Sequence, residues 1–304
     1  MNRTLALGIG AVIALALARL VWPDVTALLY GVGCEAAQGF GRLVGNEAIT
    51  NYGCRMVGGL GITLQLVAIS VGLGVVLGFL VALVRLYGGP VSSRIATGYT
   101  TFFRGTPLLC QLFLVYYGLG QFSDFWKQVD IVTWLPNIIL SLYNRLPLFG
   151  SVKLIEPFFP NLVLWNYIRD AFFCAAFTFT INTAAYQAEI FRGAIASVHR
   201  GQWEAAKALG LRFTTILRTI VMPQAALVAL RPLGNELVIM VKSSAVASLV
   251  TIFDLMGTTR LAFARSFDLS VYLFAALLYL CVVEVIRRVW GLAERRLTRH
   301  LSHA

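Results

Sequence analysis

The sequence predicts an all-α polytopic membrane protein, and three observations carry that reading. Hydrophobic residues make up 58% of the chain and charged residues 13%, against about 45–50% and about 25% in soluble domains, and the mean hydropathy is +0.76. Several apolar runs reach the roughly 20 residues that a helix needs to cross a bilayer. No segment alternates with the period of two that a membrane barrel requires. With no water in the hydrocarbon to satisfy peptide groups, every span is expected to be helical.

Taken in order, the apolar runs give spans at about 5–22, 57–84, 99–119, 168–190, 225–249 and 269–286. Between them, 15 Lys and Arg residues fall on the side that carries both termini and the loop around Gly201, and seven fall on the other side. The positive-inside rule places the richer side in the cytoplasm. The net charge of +11 is spread over short segments between apolar runs, which reads as topology and not as a nucleic-acid stripe.

The first span follows Arg3 and contains the small-residue string Ala14 to Ala18, as a secretory signal does. The apolar run continues past Arg19 to Trp22, so a retained helix is expected. Residues 1–56 are then an N-terminal helix with an outward extension, and 57–304 a single membrane domain. Its outward insertion at 121–167, rich in Pro and Trp, is expected to lie at the interface. Cys34 and Cys54 both fall outside, in an oxidising compartment where disulfides persist. A bridge between them and a pair of free thiols are both compatible with the sequence.

Enzyme chemistry has little to stand on. Glycine is never followed by lysine, so the chain has no Walker-type phosphate loop. His199, His300 and His303 are not at metal-ligand spacing with cysteines or carboxylates. Gly74 and Gly78 have small-xxx-small spacing and, with Gly72, read as close-packing positions.

One segment departs from the membrane pattern. From Gly201 to Ala225 the chain is Ala-rich and bears Glu and Lys. A helix from about Trp203 to Leu209 would put Ala205, Ala206 and Leu209 on one side, with Gly210 ending it in the left-handed conformation. A second, from about Thr214 to Val221, would be stopped by Pro223, which has no amide hydrogen. Two short helices between spans make a lever for a soluble partner.

Glu204-Ala205-Ala206, Gly210, Ile220 and Met222-Pro223 stand at the spacing of the EAA signature, and the segment resembles that of ABC importer permeases; Met222 replaces the usual Leu. The phrases FFRGTPLLCQLFLVYYG, TAAYQAEIFRGAIASVHRGQWEAA and RPLGNELVIMVKSSAVASLV resemble the polar amino acid branch. The resemblance implies a five-helix permease core, here with one added N-terminal helix, in a bacterial cytoplasmic (inner) membrane. It implies pairing with a second permease, an ATP-binding subunit dimer docked on the loop at about 198–223, and a soluble substrate-binding protein outside. ATP and Mg would sit on the partner, with no cofactor on this chain and no nucleic acid. The alternatives are a permease for another small solute, or a scaffold or channel without an ATPase, which would have no use for such a loop.

Glu236 is the candidate for the substrate path. It lies eleven residues into the fifth span, about 16 Å at 1.5 Å per residue, near the middle of a roughly 30 Å core. A carboxylate there is costly and marks function by default; the alternative is a structural bond to a neighbouring helix. It would favour an amino group or a cationic side chain. Asn235, Asn182 and Gln111 are weaker candidates, because polar residues in spans commonly join helices. Lys242 does not share a face with Glu236, and snorkelling to the headgroups accounts for it equally well.

Overall fold

Helix is the only regular structure among the described residues of the computed structural model, which are 30–121 and 170–298. The first apolar run and, beyond Gln121, the outward insertion lie outside them. The chain divides into two compact units, one made of Met1–Gln65 and Phe253–Gly291, the other of Leu66–Ile252 and Leu292–Ala304. Two long helices contribute to both.

In the first unit, α1 (30–44) turns at Gly45 into α2 (Glu47–Tyr87). The Asn46 side chain caps α2 by accepting from the Ile49 amide at 2.9 Å, and it donates to Asp268 at 2.7 Å and Ser270 at 2.8 Å. The two helices approach closely, since a Cβ on Gly41 would stand 2.5 Å from the Thr50 hydroxyl. Cys34 and Cys54 are joined by a disulfide. The core brings together Met56 and Val57 of α2, Leu255 and Ala262 of α9 (Leu255–Ser266), and Val271 and Phe274 of α10 (Ser270–Thr298). Asp254, fully buried, caps α9 by accepting from the Gly257 amide at 2.8 Å, and burial pushes its carboxyl up to about 6.

The second unit is organised on α5 (Ala171–Ala196), against which α3 (Pro90–Gly105), α4 (Leu108–Phe113) and α8 (Met222–Ser243) pack. Glu47–Tyr87, Phe213–Val250 and Ser270–Thr298 are long and apolar enough to cross a membrane. α5, expected as the fourth span, is not among them because Asn182, Gln187, Glu189 and Arg192 lower its hydropathy. A helix surrounded by others can carry such groups when neighbours supply their hydrogen bonds. Gly74 and Gly78 of α2 are the close-approach positions: a Cβ on them would lie 2.6 Å from the Thr183 methyl and 2.8 Å from the Ala184 carbonyl. Gly72 meets nothing within 4 Å, so its expected packing role is corrected.

The expected third span is likewise not one helix. α3 ends at Gly105, Thr106 is extended with ψ 145°, and α4 restarts after Pro107, its N-cap. Proline lacks the amide to continue the α3 ladder and disfavours helix in the residue before it. α4 continues through a π-helical turn, Leu114–Gly118.

Candidate functional site

The break between α3 and α4 leaves backbone carbonyls without helical partners, and polar side chains take their place. Gln111 donates to the carbonyls of Phe103 and Thr106 at 3.0 and 3.1 Å and to the Thr106 hydroxyl at 2.7 Å. Asn182 of α5 donates to Phe103 O at 3.1 Å and to Gln111 Oε1 at 2.9 Å. Both candidates therefore join helices, and of the two only Asn182 also lines the cavity that opens beside the break.

That cavity, roughly 480 Å³, is lined by Arg104, Thr106, Asn182, Tyr186, Glu236 and Ser243 among others. Glu236 projects into it from α8 and is 6% exposed. Its Oε1 accepts from the Thr183 hydroxyl at 3.0 Å, and Thr183 in turn accepts from Gln187 Nε2 at 3.1 Å. Thr183 and Gln187 are fully buried, so a hydrogen-bonded row along α5 holds one face of the carboxylate. No ion pair reaches Glu236 among the described residues. Arg104, which lines the same cavity, acts on Glu236 through space and without contact; a buried carboxylate with no cation in contact is expensive, and the cavity beside it is the space in which a ligand would supply one.

Asn235 and Lys242 are exposed and line no part of this cavity. Sequence reasoning missed Thr183, Gln187, Tyr186, Glu189 and Arg104. Thr183 and Gln187 at i, i+4, and Glu189 and Arg192 at i, i+3, are the spacings that place side chains on one helix face. They were the available signal. Glu189 gathers three guanidinium groups: it pairs with Arg85, accepts from Arg192 Nε at 2.9 Å, and stands 3.8 Å from Arg104.

The second candidate site is the segment of short helices. α6 (Arg200–Ala208) starts earlier than expected, capped by His199, whose Nδ1 accepts from the Gly201 amide at 3.1 Å. It ends with Gly210 at φ +69°. The Gly210 amide donates to Lys207 O at 2.9 Å and the Leu211 amide to Ala206 O at 3.2 Å, the paired bonds of a Schellman cap. Of Ala205, Ala206 and Leu209, only Ala206 turns inward; Leu209 is 79% exposed, and Glu204 and Ala205 are exposed too. Ala206 packs with Ile216, Val221 and Ala225, and Ile220 lies against that cluster.

Pro223 does not stop a helix, contrary to expectation. α7 (Phe213–Ile216) runs through a π-helical turn, Leu217–Val221, into α8, where Pro223 occupies one of the first two positions. The helix runs on through Pro223, whose missing amide falls where the π-helical turn gives way to α8 and the hydrogen-bond ladder changes register.

Both sites lie within the part of the chain that matches known proteins. Residues 74–299 match the family model described as binding-protein-dependent transport system inner membrane component. The octopine transport system permease protein OccM of Rhizobium radiobacter is 35% identical over 240 residues, covering 79% of this chain and 84% of its own. The arginine ABC transporter permease protein ArtM of Escherichia coli K12 is 31% identical, covering 68% and 78%. A crystal structure of an amino acid ABC transporter with histidines superposes with a TM-score of 0.64 at 28% identity, over 82% of this chain and 96% of that one.

Proposed function

The chain belongs to the family of binding-protein-dependent transport system inner membrane components, and from that premise we propose how its two candidate sites work. It is the transmembrane subunit of an ATP-driven amino acid importer, and ATP hydrolysis belongs to a separate subunit. It associates with the other components of an ABC transporter.

In our reading the cavity at Glu236 is part of the substrate path, and the carboxylate receives the amino group or cationic side chain of the passing amino acid. The observation that carries this is a carboxylate 6% exposed, held on one side by Thr183, open to a cavity, and without an ion-pair partner among the described residues. The segment from about Val198 to Pro223 docks on an ATP-binding subunit in the cytoplasm, which carries ATP and Mg. The exposed Leu209 and Phe213 at its tip, with Glu204 and Ala205, supply a contact surface. A second permease, a soluble binding protein and a bacterial inner membrane complete the assembly. ATP binding closes the ATPase dimer, the loop follows, and the path turns outward.

Replacing Glu236 by Gln keeps the shape and removes the charge. In proteoliposomes holding the full complex, uptake is expected to fall while assembly and basal ATP hydrolysis persist. An unchanged uptake rate would return Glu236 to a purely structural role.

A further inference from the structure

Glu236 alone does not distinguish an amino acid from a simple amine, since both present a cation. We propose that Arg104 supplies the distinction: its guanidinium reads the substrate's carboxylate, so that the cavity holds a zwitterion between Arg104 and Glu236. The inference rests on the cavity being part of the substrate path.

Arg104 lines the same cavity as Glu236, and its side chain is 41% exposed. Its backbone is anchored, because the Tyr186 hydroxyl donates to the Arg104 carbonyl at 3.4 Å. The guanidinium lies 5.5 Å over the Tyr186 ring, a contact that holds a cation without neutralising it. Of the described carboxylates, Glu189 stands 3.8 Å from it, outside hydrogen-bond distance, and Glu236 acts on it only through space across the cavity. Glu189 does not depend on it, since Arg85 and Arg192 both hydrogen-bond that carboxylate. Arg104 is therefore a positioned and weakly committed cation that can turn to a ligand without leaving Glu189 uncompensated. The planar guanidinium fork matches a carboxylate in two parallel hydrogen bonds, which an ammonium does not.

The test is equilibrium binding to the full permease–ATPase complex in nanodiscs, without binding protein. The probes are two pairs that differ only in the carboxylate: arginine with agmatine, and histidine with histamine. At least one amino acid is expected to bind about 10- to 100-fold more tightly than its amine, the range of charge-assisted hydrogen bonds. Arg104→Gln should bring that amino acid down to the level of its amine while leaving the amine unchanged, and Arg104→Lys should fall between. A change confined to the acid is not what general damage to the fold produces. Equal binding within both pairs in the native complex overturns the proposal, as does an unaltered ratio in Arg104→Gln or an equal loss of both partners. Glu236→Gln separates the two readings. If it weakens both members of a pair while Arg104→Gln leaves their ratio intact, Arg104's role alone fails. If it changes neither, or if no probe binds the native complex, the path reading fails and this inference with it.

Discussion

Substitution of Gly210 tests the lever most directly, because the structure isolates a single cause. Gly210 has φ +69°, and nothing lies within 4 Å of the place where a Cβ would stand. A side chain there meets no clash, and only the backbone conformation is penalised. The left-handed region costs an ordinary L-residue roughly 1–2 kcal/mol, less for Asn and more for a β-branched residue. About 1–2 kcal/mol is a factor of about 5–30 in the population of the capped turn, whose two bonds hold Leu209 and Leu211 at the loop tip. The assay is uptake per ATP hydrolysed in proteoliposomes with loaded binding protein, alongside co-purification of the ATP-binding subunit. Coupling is expected to fall in the order Gly, Asn, Ala, Val, with Val uncoupled or disassembled. Full coupled uptake in Gly210→Val would refute the reasoning, and Ala worse than Val would show that backbone strain is not the cause.

Three further outcomes follow from the structure. Asp254→Asn should keep the α9 cap, since Asn caps as well as Asp, and remove the penalty of a buried charge. The folded carboxyl titrates at about 6 against an ordinary 3.8, so its ionised form destabilises the fold above about pH 6, and that loss fades as pH falls toward 3.8. The difference is about 3 kcal/mol at neutral pH at 1.36 kcal/mol per unit; melts at pH 7 and pH 5 should converge in the variant, and a native chain less stable at pH 5 sinks this account. Thiol labelling of unfolded, unreduced protein should modify Cys110, Cys174 and Cys281 but not Cys34 or Cys54; labelling of all five contradicts the bridge. Gly78→Ala forces a shift against the Ala184 backbone and should lower the melting point by the equivalent of about 1–3 kcal/mol, whereas Gly72→Ala should be neutral or stabilising.

Where local chemistry alone decides, the sequence was sufficient. Glu236 at mid-span and Gly210 after an Ala-rich stretch were both legible, because a buried charge and a left-handed turn each admit few solutions. The break at Thr106 was within reach, since Pro107 stands inside the expected third span. Pro107 alone does not require the break, however, because membrane helices tolerate proline when neighbours satisfy the freed groups. The partners of Glu236 were not legible. Thr183 lies 53 residues away in sequence, and the register of the two helices is set only by the tertiary packing of α8 on α5. Arg104 was not legible for the same reason: nothing in the local sequence shows that the fold closes a cavity beside it.

The two flanks of that cavity differ in continuity, and this difference gives the lever something to act on. On one side, Phe213–Val250 is helical throughout, 38 residues long. Pro223 and the π-helical turn before it leave no non-helical joint, and Glu236 lies fourteen residues beyond Met222, about 21 Å along the axis. A displacement of the loop reaches Glu236 along one continuous helix, in which Pro232, one turn before Glu236, leaves the Val228 carbonyl without its amide donor. On the other side the chain is broken at Thr106–Pro107, and Gln111 and Asn182 tie the break to α5. Sliding of α8 along α5 would move Glu236 relative to Arg104 and change what the cavity holds. Gly210→Val and Glu236→Gln should therefore fail differently: the first loses the link between hydrolysis and uptake, while the second keeps stimulated hydrolysis and loses uptake. If both variants gave the same phenotype, α8 would not be the element that joins the two sites.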